Sequence, residues 1–191
     1  MSQTKKGESK MAGFFKRFFA LFRSVKESKK NQKRYLATSS DELKSLSDDE
    51  LFSAVLDRTE SKVDKYENII DGVKSLSGAQ RIFYVSSYYE MEVMNGGLCQ
   101  FFVNSSREVA PELSECLDAI GAYEHKKLFD SFIKDNNIDV HDLSSFIIND
   151  VSEFEAQNNR YPFDEFDNAF FELKPIQDQL IPYIKEHLSE F

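Results

Sequence analysis

Tryptophan is absent from this 191-residue chain, cysteine occurs only at Cys99 and Cys116, and the three histidines, His125, His141 and His187, are scattered. Two cysteines exclude a disulfide scaffold and a four-cysteine zinc site, and they suit a reducing compartment. The four prolines all lie beyond residue 110 and the last of the seven glycines is Gly121, so helix breakers are few. No apolar run approaches the roughly 18 residues that cross a bilayer. There is no H-E-x-x-H, G-x-S-x-G, phosphate-binding loop or G-x-G-x-x-G following a strand, which leaves no recognisable catalytic, metal or cofactor motif. What is present is 41% hydrophobic residues with 18 Phe, far too apolar for a disordered chain and enough for one sizeable core.

The charge is divided. Residues 1–34 carry 11 Lys and Arg against Glu8 and Glu27, a net of +9, while residues 35–191 carry 13 basic and 31 acidic residues, a net of −18. Opposite signs on two segments point to different partners for each. In the first, Phe14, Phe15, Phe18, Phe19 and Phe22 recur at the spacing of one helical face, with Lys16, Arg17 and Arg23 largely on the other. A basic amphipathic helix of this kind suits an anionic membrane surface. Docking on the acidic body, pairing with another copy, a groove in a partner and nucleic acid stay open beside it. Lys16 and Arg17 break the apolar run and argue against a secretory signal. Residues 26–40, rich in Lys, Ser, Asn and Gln, read as a flexible linker, which divides the chain into an arm with linker at 1–40 and an acidic domain at 41–191.

The body reads as helix nearly throughout. Ser47 ahead of Asp48, Asp49 and Glu50 predicts a capped start, and Ser77 three residues before Gln80 predicts a capping box. Ile82, Val85, Tyr89 and Val93 keep helical spacing up to Asn95-Gly96-Gly97, so the strand-prone run at Ile82–Val85 is assigned to a helix. Further apolar faces are expected through Val63 to Val73, from Leu98 to Phe102, after Pro111 to Gly121, from Leu128 to Ile133, through Leu143, Phe146, Ile147, Val151 and Phe154, from Phe163 to Phe171, and from Ile176 to Leu188. The expected fold class is all-α, a single multi-helix globule preceded by the basic helix.

Cys99 and Cys116 have apolar neighbours, so they read as small buried hydrophobes rather than as nucleophiles paired with His125. Acids cluster at Asp150, Glu153 and Glu155 and at Asp164, Glu165 and Asp167. Acids three or four apart on a helix lie about 5–6 Å from one another, a pitch that imitates a row of backbone phosphates, although acidic faces also serve plain solubility.

The run from Tyr88 to Ser105, with the pattern E-x-E-x-x-N-G-G-x-x-Q-F-F-x-N, and Leu117-Asp118-Ala119-Ile120-Gly121-Ala122 after it, resembles a bacterial family of small helical proteins whose described member is a dimeric DNA mimic. The resemblance is strongest in these two segments, extends more weakly from about Ser47 to Phe191, and leaves out the basic arm. It implies an all-α fold and no catalysis, leaves a homodimer open, and in the described member the acidic surface occupies the DNA-binding face of a helix-turn-helix regulator; no cofactor is expected. The matching residues are Glu90, Glu92, Asn95, Gly96, Gly97, Gln100, Phe101, Phe102 and Asn104. Their chemistry suits fold-making: glycine for a tight helix–helix turn, Asn for caps, Phe for packing and Gln100 for buried backbone groups. A polar pocket formed by Glu90, Asn95 and Gln100 is the competing expectation.

The functional expectation is a non-enzymatic module that presents Asp150, Glu153, Glu155, Asp164, Glu165 and Asp167 to a basic protein such as a DNA-binding regulator, and does not itself bind nucleic acid. The alternative is an immunity-type or inhibitor protein that neutralises a toxin or nuclease, held at a membrane by its arm. No metal site is expected. The expected location is cytoplasmic, with the arm able to meet the inner face of the membrane.

Overall fold

Three serines start three helices by the same device. Ser39, Ser47 and Ser77 each accept the backbone N–H of the residue three places on, and Glu42, Glu50 and Gln80 reach back to the cap N–H. Each box satisfies orphan donors that the helix cannot bond internally. The computed structural model describes residues 25–191, and the Phe14–Arg23 arm expected to meet a membrane lies outside them. The helices in chain order are α1 (Val25–Ala37), α2 (Ser40–Leu43), α3 (Asp48–Val63), α4 (Ile69–Lys74), α5 (Gly78–Val103), α6 (Ala110–Ala119), α7 (Tyr123–Asp135), α8 (Val151–Asn158), α9 (Phe163–Glu172) and α10 (Gln177–Glu186). Single 3-10 turns lie at Ser105–Val109, Ser144–Phe146 and Leu188–Glu190, and there is no strand among the described residues. The all-α expectation holds, with Ile82–Val85 inside α5.

α5 is the axle. Its buried positions run on nearly every side, from Phe83 and Tyr89 to Leu98, Phe101 and Phe102, the signature of a helix surrounded by others. α3, α6, α9 and α10 pack against it, and α7 rests on α6 and α9. Phe102 has Phe129 at 6.3 Å, Phe146 at 4.8 Å and Phe163 at 6.3 Å between ring centres. Tyr89 has Phe101 at 5.4 Å and Phe170 at 5.7 Å, both edge-on, the arrangement favoured by the ring quadrupoles. Cys99 and Cys116 are buried in this core and burial pushes both thiols up to about 12, so both are inert at neutral pH.

Three sequence expectations are corrected. Residues 25–37 do not form a linker: they are helix α1, which lies on α3 with Tyr35 buried and its carbonyl accepting Arg58 Nε at 3.0 Å. Arg58 Nη1 also donates to the Phe191 carbonyl at 2.8 Å, so one guanidinium ties α1 and the C-terminus to α3. The apolar face through Val63 to Val73 is two helices, because Asn68 caps a new start through Ile70 N at 2.7 Å. The face from Leu143 to Phe154 is likewise broken. Ser144–Phe146 makes one turn, Ile147 is extended and 57% exposed, and Asp150 starts α8 by accepting Ser152 N at 2.8 Å and Glu153 N at 3.1 Å. An aspartate with two side-chain-to-backbone bonds outcompetes continuation of the helix.

Candidate functional site

The family-like run from Glu90 to Asn104 spans the one break inside α5. Gly97 has φ +78° and ψ 175°, a combination that a side chain rarely adopts, and the helix restarts immediately after it. The restart needs an acceptor for its first N–H groups, and none is near in sequence. Asp167 of α9 supplies it, taking Leu98 N at 2.9 Å, and a Cβ on residue 97 would collide with that same carboxylate. Glycine and aspartate are therefore one device built from two helices.

Glu92 closes the break from the other side. Its Oε2 accepts Gln100 Nε2 at 2.7 Å and Asn104 Nδ2 at 2.9 Å, and its Oε1 accepts Ser106 Oγ at 2.9 Å. One carboxylate thus joins the helix before the glycines to the helix after them and to the following 3-10 turn. Gln100 bonds this carboxylate rather than the backbone groups expected for it. Asn104 stands at the end of α5 but spends its amide on Glu92, and Asn95 is exposed.

Glu90 faces away from Gln100 chemistry altogether. It is 5% exposed, and its two oxygens accept Ile176 N at 2.6 Å and Gln177 N at 3.1 Å, the first N–H groups of α10. Ile176 has no side chain that could cap α10, so Glu90 performs that task from 86 residues away. An anion at a helix N-terminus is favourable both for the orphan donors and for the helix dipole. The expected pocket of Glu90, Asn95 and Gln100 does not assemble, since both Glu90 oxygens are taken by α10 and Gln100 is taken by Glu92. Phe101 and Phe102 are fully buried, as packing residues.

Burial raises the Glu90 carboxyl to about 7 despite the two backbone bonds that oppose the shift. Burial likewise raises Asp167 to about 6, against the Leu98 bond, and raises Asp57 to about 6. These folded values lie above those of the unfolded chain, so the folded state holds more protons across that interval and stability falls as pH rises through it. The midpoint of thermal unfolding should be about 3–5 °C higher at pH 6 than at pH 8, given about 2–4 °C per kcal/mol for a domain of this size. A scanning calorimetry series in which the midpoint instead climbs from pH 6 to pH 8 contradicts this account of the buried carboxylates.

The acidic candidates separate into two groups. Glu155, Asp164 and Glu165 are exposed and make no hydrogen bond or ion pair through their carboxylates among the described residues. Asp150 is exposed but caps α8, and its bonds to Ser152 and Glu153 hold its carboxyl below the usual range. Glu153 accepts Asn149 N at 2.6 Å, and Asp167 is half-buried on Leu98. Residues 135–173 contain ten carboxylates and a single Lys or Arg, Arg160. The seven ion pairs among the described residues all lie outside this stretch. Its charge is therefore left uncompensated by the fold.

Among the described residues no group of three or more His, Cys, Asp or Glu is placed to hold a metal ion, and no helix is long and apolar enough to cross a membrane. No curated protein and no solved structure matches the chain. The model of the DMP19-like protein family matches residues 74–187, more than half of the chain, spanning the α5 break, the acidic stretch and all of α10. On that match the chain is a member of the DMP19-like protein family, the DNA-mimic-like family.

Proposed function

We propose that the protein works without catalysis, by presenting the carboxylates of residues 135–173 to the DNA-binding face of a basic regulator in place of DNA phosphates. The observation that carries this reading is the charge of residues 135–173: ten acids and one cation, with no ion pair among the described residues. Solubility alone does not require so one-sided a stretch, because the net charge of small soluble domains is modest and interspersed. Ile147 and Phe171, at 57% and 37% exposure, supply apolar contact within the same stretch, which suits a protein partner with a mixed interface. Asp142 and Asp150 are anchored by their own turns, through Ser144 and Ser152, and so present charge in fixed directions. Fixed charges are the means by which such a surface steers a basic partner.

The test is affinity capture from an extract of the native cell, with elution by duplex DNA. The reading expects basic DNA-binding proteins on the column, released by DNA and by moderate salt. Retention of proteins that DNA does not release, a toxin or nuclease among them, overturns it in favour of a neutralising inhibitor. The arm of residues 1–34 has the charge to hold this module at an anionic lipid surface. Full-length protein should co-sediment with phosphatidylserine-containing vesicles at low ionic strength, and lose this when Phe15, Phe18 and Phe22 become Ser. Equal sedimentation with neutral vesicles would show that the arm does not act through charge.

A further inference from the structure

Among the ten carboxylates of residues 135–173 stands one arginine, and it pairs with none of them. Arg160 is exposed and takes part in none of the seven ion pairs among the described residues. Its guanidinium lies over the Tyr161 ring instead, 5.4 Å from the centroid, which is cation–π distance. The ring beneath it is itself fixed. It stacks on Phe146 at 5.6 Å and 25° and meets Phe163 edge-on at 5.7 Å, and both phenylalanines are buried. Phe146 in turn lies 4.8 Å from Phe102 of the core, and Gln157, just before Arg160, donates to the Ser145 carbonyl. The arginine therefore stands on a rigid aromatic base. Ile147, exposed, follows Phe146 directly, so an apolar side chain issues from the same base. Arginine and apolar groups are enriched where protein interfaces bury most, and acids are depleted there.

A cation opposes a surface that offers only phosphate-like charge to a basic partner. A DNA-reading face is not uniformly basic, however. Between the cations that hold phosphates it carries the side chains that read base edges, and Glu or Asp accepting from cytosine N4 is one such pairing. A surface of carboxylates alone would repel that acid, whereas DNA meets it with a fixed donor. The dipole of α8, which ends at Asn158, also favours a cation at position 160, but lysine would serve that purpose equally. Arginine adds a planar fork that stacks on an aromatic ring and meets a carboxylate through two parallel N–H bonds.

We infer that Arg160 stands in for a base-edge donor and meets an Asp or Glu on the base-reading element of the partner, while the acids of the stretch stand in for phosphates. This rests on the reading of residues 135–173 as a surface for a DNA-binding regulator, and it makes Arg160 the residue that selects among such regulators. Those that carry an acid in the matching place are bound, and uniformly basic faces are disfavoured.

The probe is the protein that duplex DNA releases from the capture column, applied to the immobilised full chain in surface plasmon resonance. Arg160→Gln makes the stretch one charge more negative, so plain attraction to a basic partner predicts tighter binding. The inference predicts the opposite sign: at least about tenfold weaker binding, carried by faster dissociation, with an association rate no lower than that of the unaltered chain. Arg160→Lys keeps the charge and loses the fork, and should remain at least about threefold weaker than the unaltered chain. Both variants should keep the thermal midpoint within about 2 °C, because the Arg160 side chain holds no other residue by a hydrogen bond or ion pair among the described residues. Equal or tighter binding by Arg160→Gln, or full affinity in Arg160→Lys, overturns the inference. The mimic reading survives that result if reversing Glu155, Asp164 and Glu165 to Lys still weakens binding. If DNA releases no protein from the column, or that reversal changes nothing, the mimic reading has failed and the role of Arg160 falls with it.

Discussion

Gly97→Ala is expected to lower the stability of the protein by about 3–5 kcal/mol. Two costs add. Residue 97 sits at φ +78° and ψ 175°, where a side chain is strained by about 1–3 kcal/mol. The new Cβ also displaces the Asp167 carboxylate from Leu98 N, and a hydrogen bond to a charged group contributes about 1.5–3 kcal/mol. Gly96→Ala should cost less, because its Cβ collides chiefly with the end of the Gln100 side chain, which can swing aside at the expense of its bond to Glu92, and meets the Gln100 Cβ only at 3.2 Å. Urea titration separates these outcomes, and a double-mutant cycle supplies the sharper check. Once Asp167→Ala has removed the carboxylate, the further penalty of Gly97→Ala should shrink to the backbone strain. Equal penalties in both backgrounds would show that glycine and aspartate do not act together.

The second large effect is on association. Reversing Glu155, Asp164 and Glu165 together to Lys should weaken binding of the captured basic partner by at least about 100-fold, mainly through a slower association rate that flattens with salt. The fold should survive, because none of the three carboxylates holds another residue. Asp164 and Glu165 do lie in the first turn of α9, so losing their favourable interaction with the helix dipole should cost about 0.3–1 kcal/mol each, a small drop in melting midpoint. The neighbouring acids are unsuitable for this experiment. Reversing Asp150 uncaps α8, reversing Glu153 frees Asn149, and reversing Asp167 breaks α5 at Leu98. Surface plasmon resonance on the triple variant, with circular dichroism to verify helicity, decides the matter. Unchanged kinetics would remove residues 155–165 from the interface.

How far the sequence reaches depends on the distance over which its signals act. The capped start at Ser47, the capping box at Ser77 and the helix end at Gly121 were readable because donor and acceptor lie within a few residues of each other. Glu90 reaching α10 and Asp167 reaching Leu98 were not readable, because each bond spans 69 residues or more and leaves no local pattern. One trace existed: α10 begins at Ile176 with no capping residue, which requires an acceptor from elsewhere. The basic, polar composition of residues 26–37 read as linker because its apolar content is slight, yet the burial of Tyr35 and the anchoring of its carbonyl by Arg58 accompany a helix there. Tertiary contacts overrode local composition. At the family-like motif, the Glu and Gln residues looked equally suited to a pocket or to the fold. Only the geometry shows that both oxygens of Glu90 and of Glu92, and the amide nitrogen of Gln100, are engaged in holding helices together.

The central claim is that the protein stands where DNA would stand. It is tested most directly by asking whether a captured DNA-binding partner can hold its duplex and this protein at once. In a mobility-shift titration of the partner–DNA complex, the account predicts that added protein releases free duplex in proportion to the partner it takes up. No three-component band should form at any ratio, and the Glu155, Asp164 and Glu165 reversal should release nothing. A stable complex of partner, duplex and protein together would contradict the account.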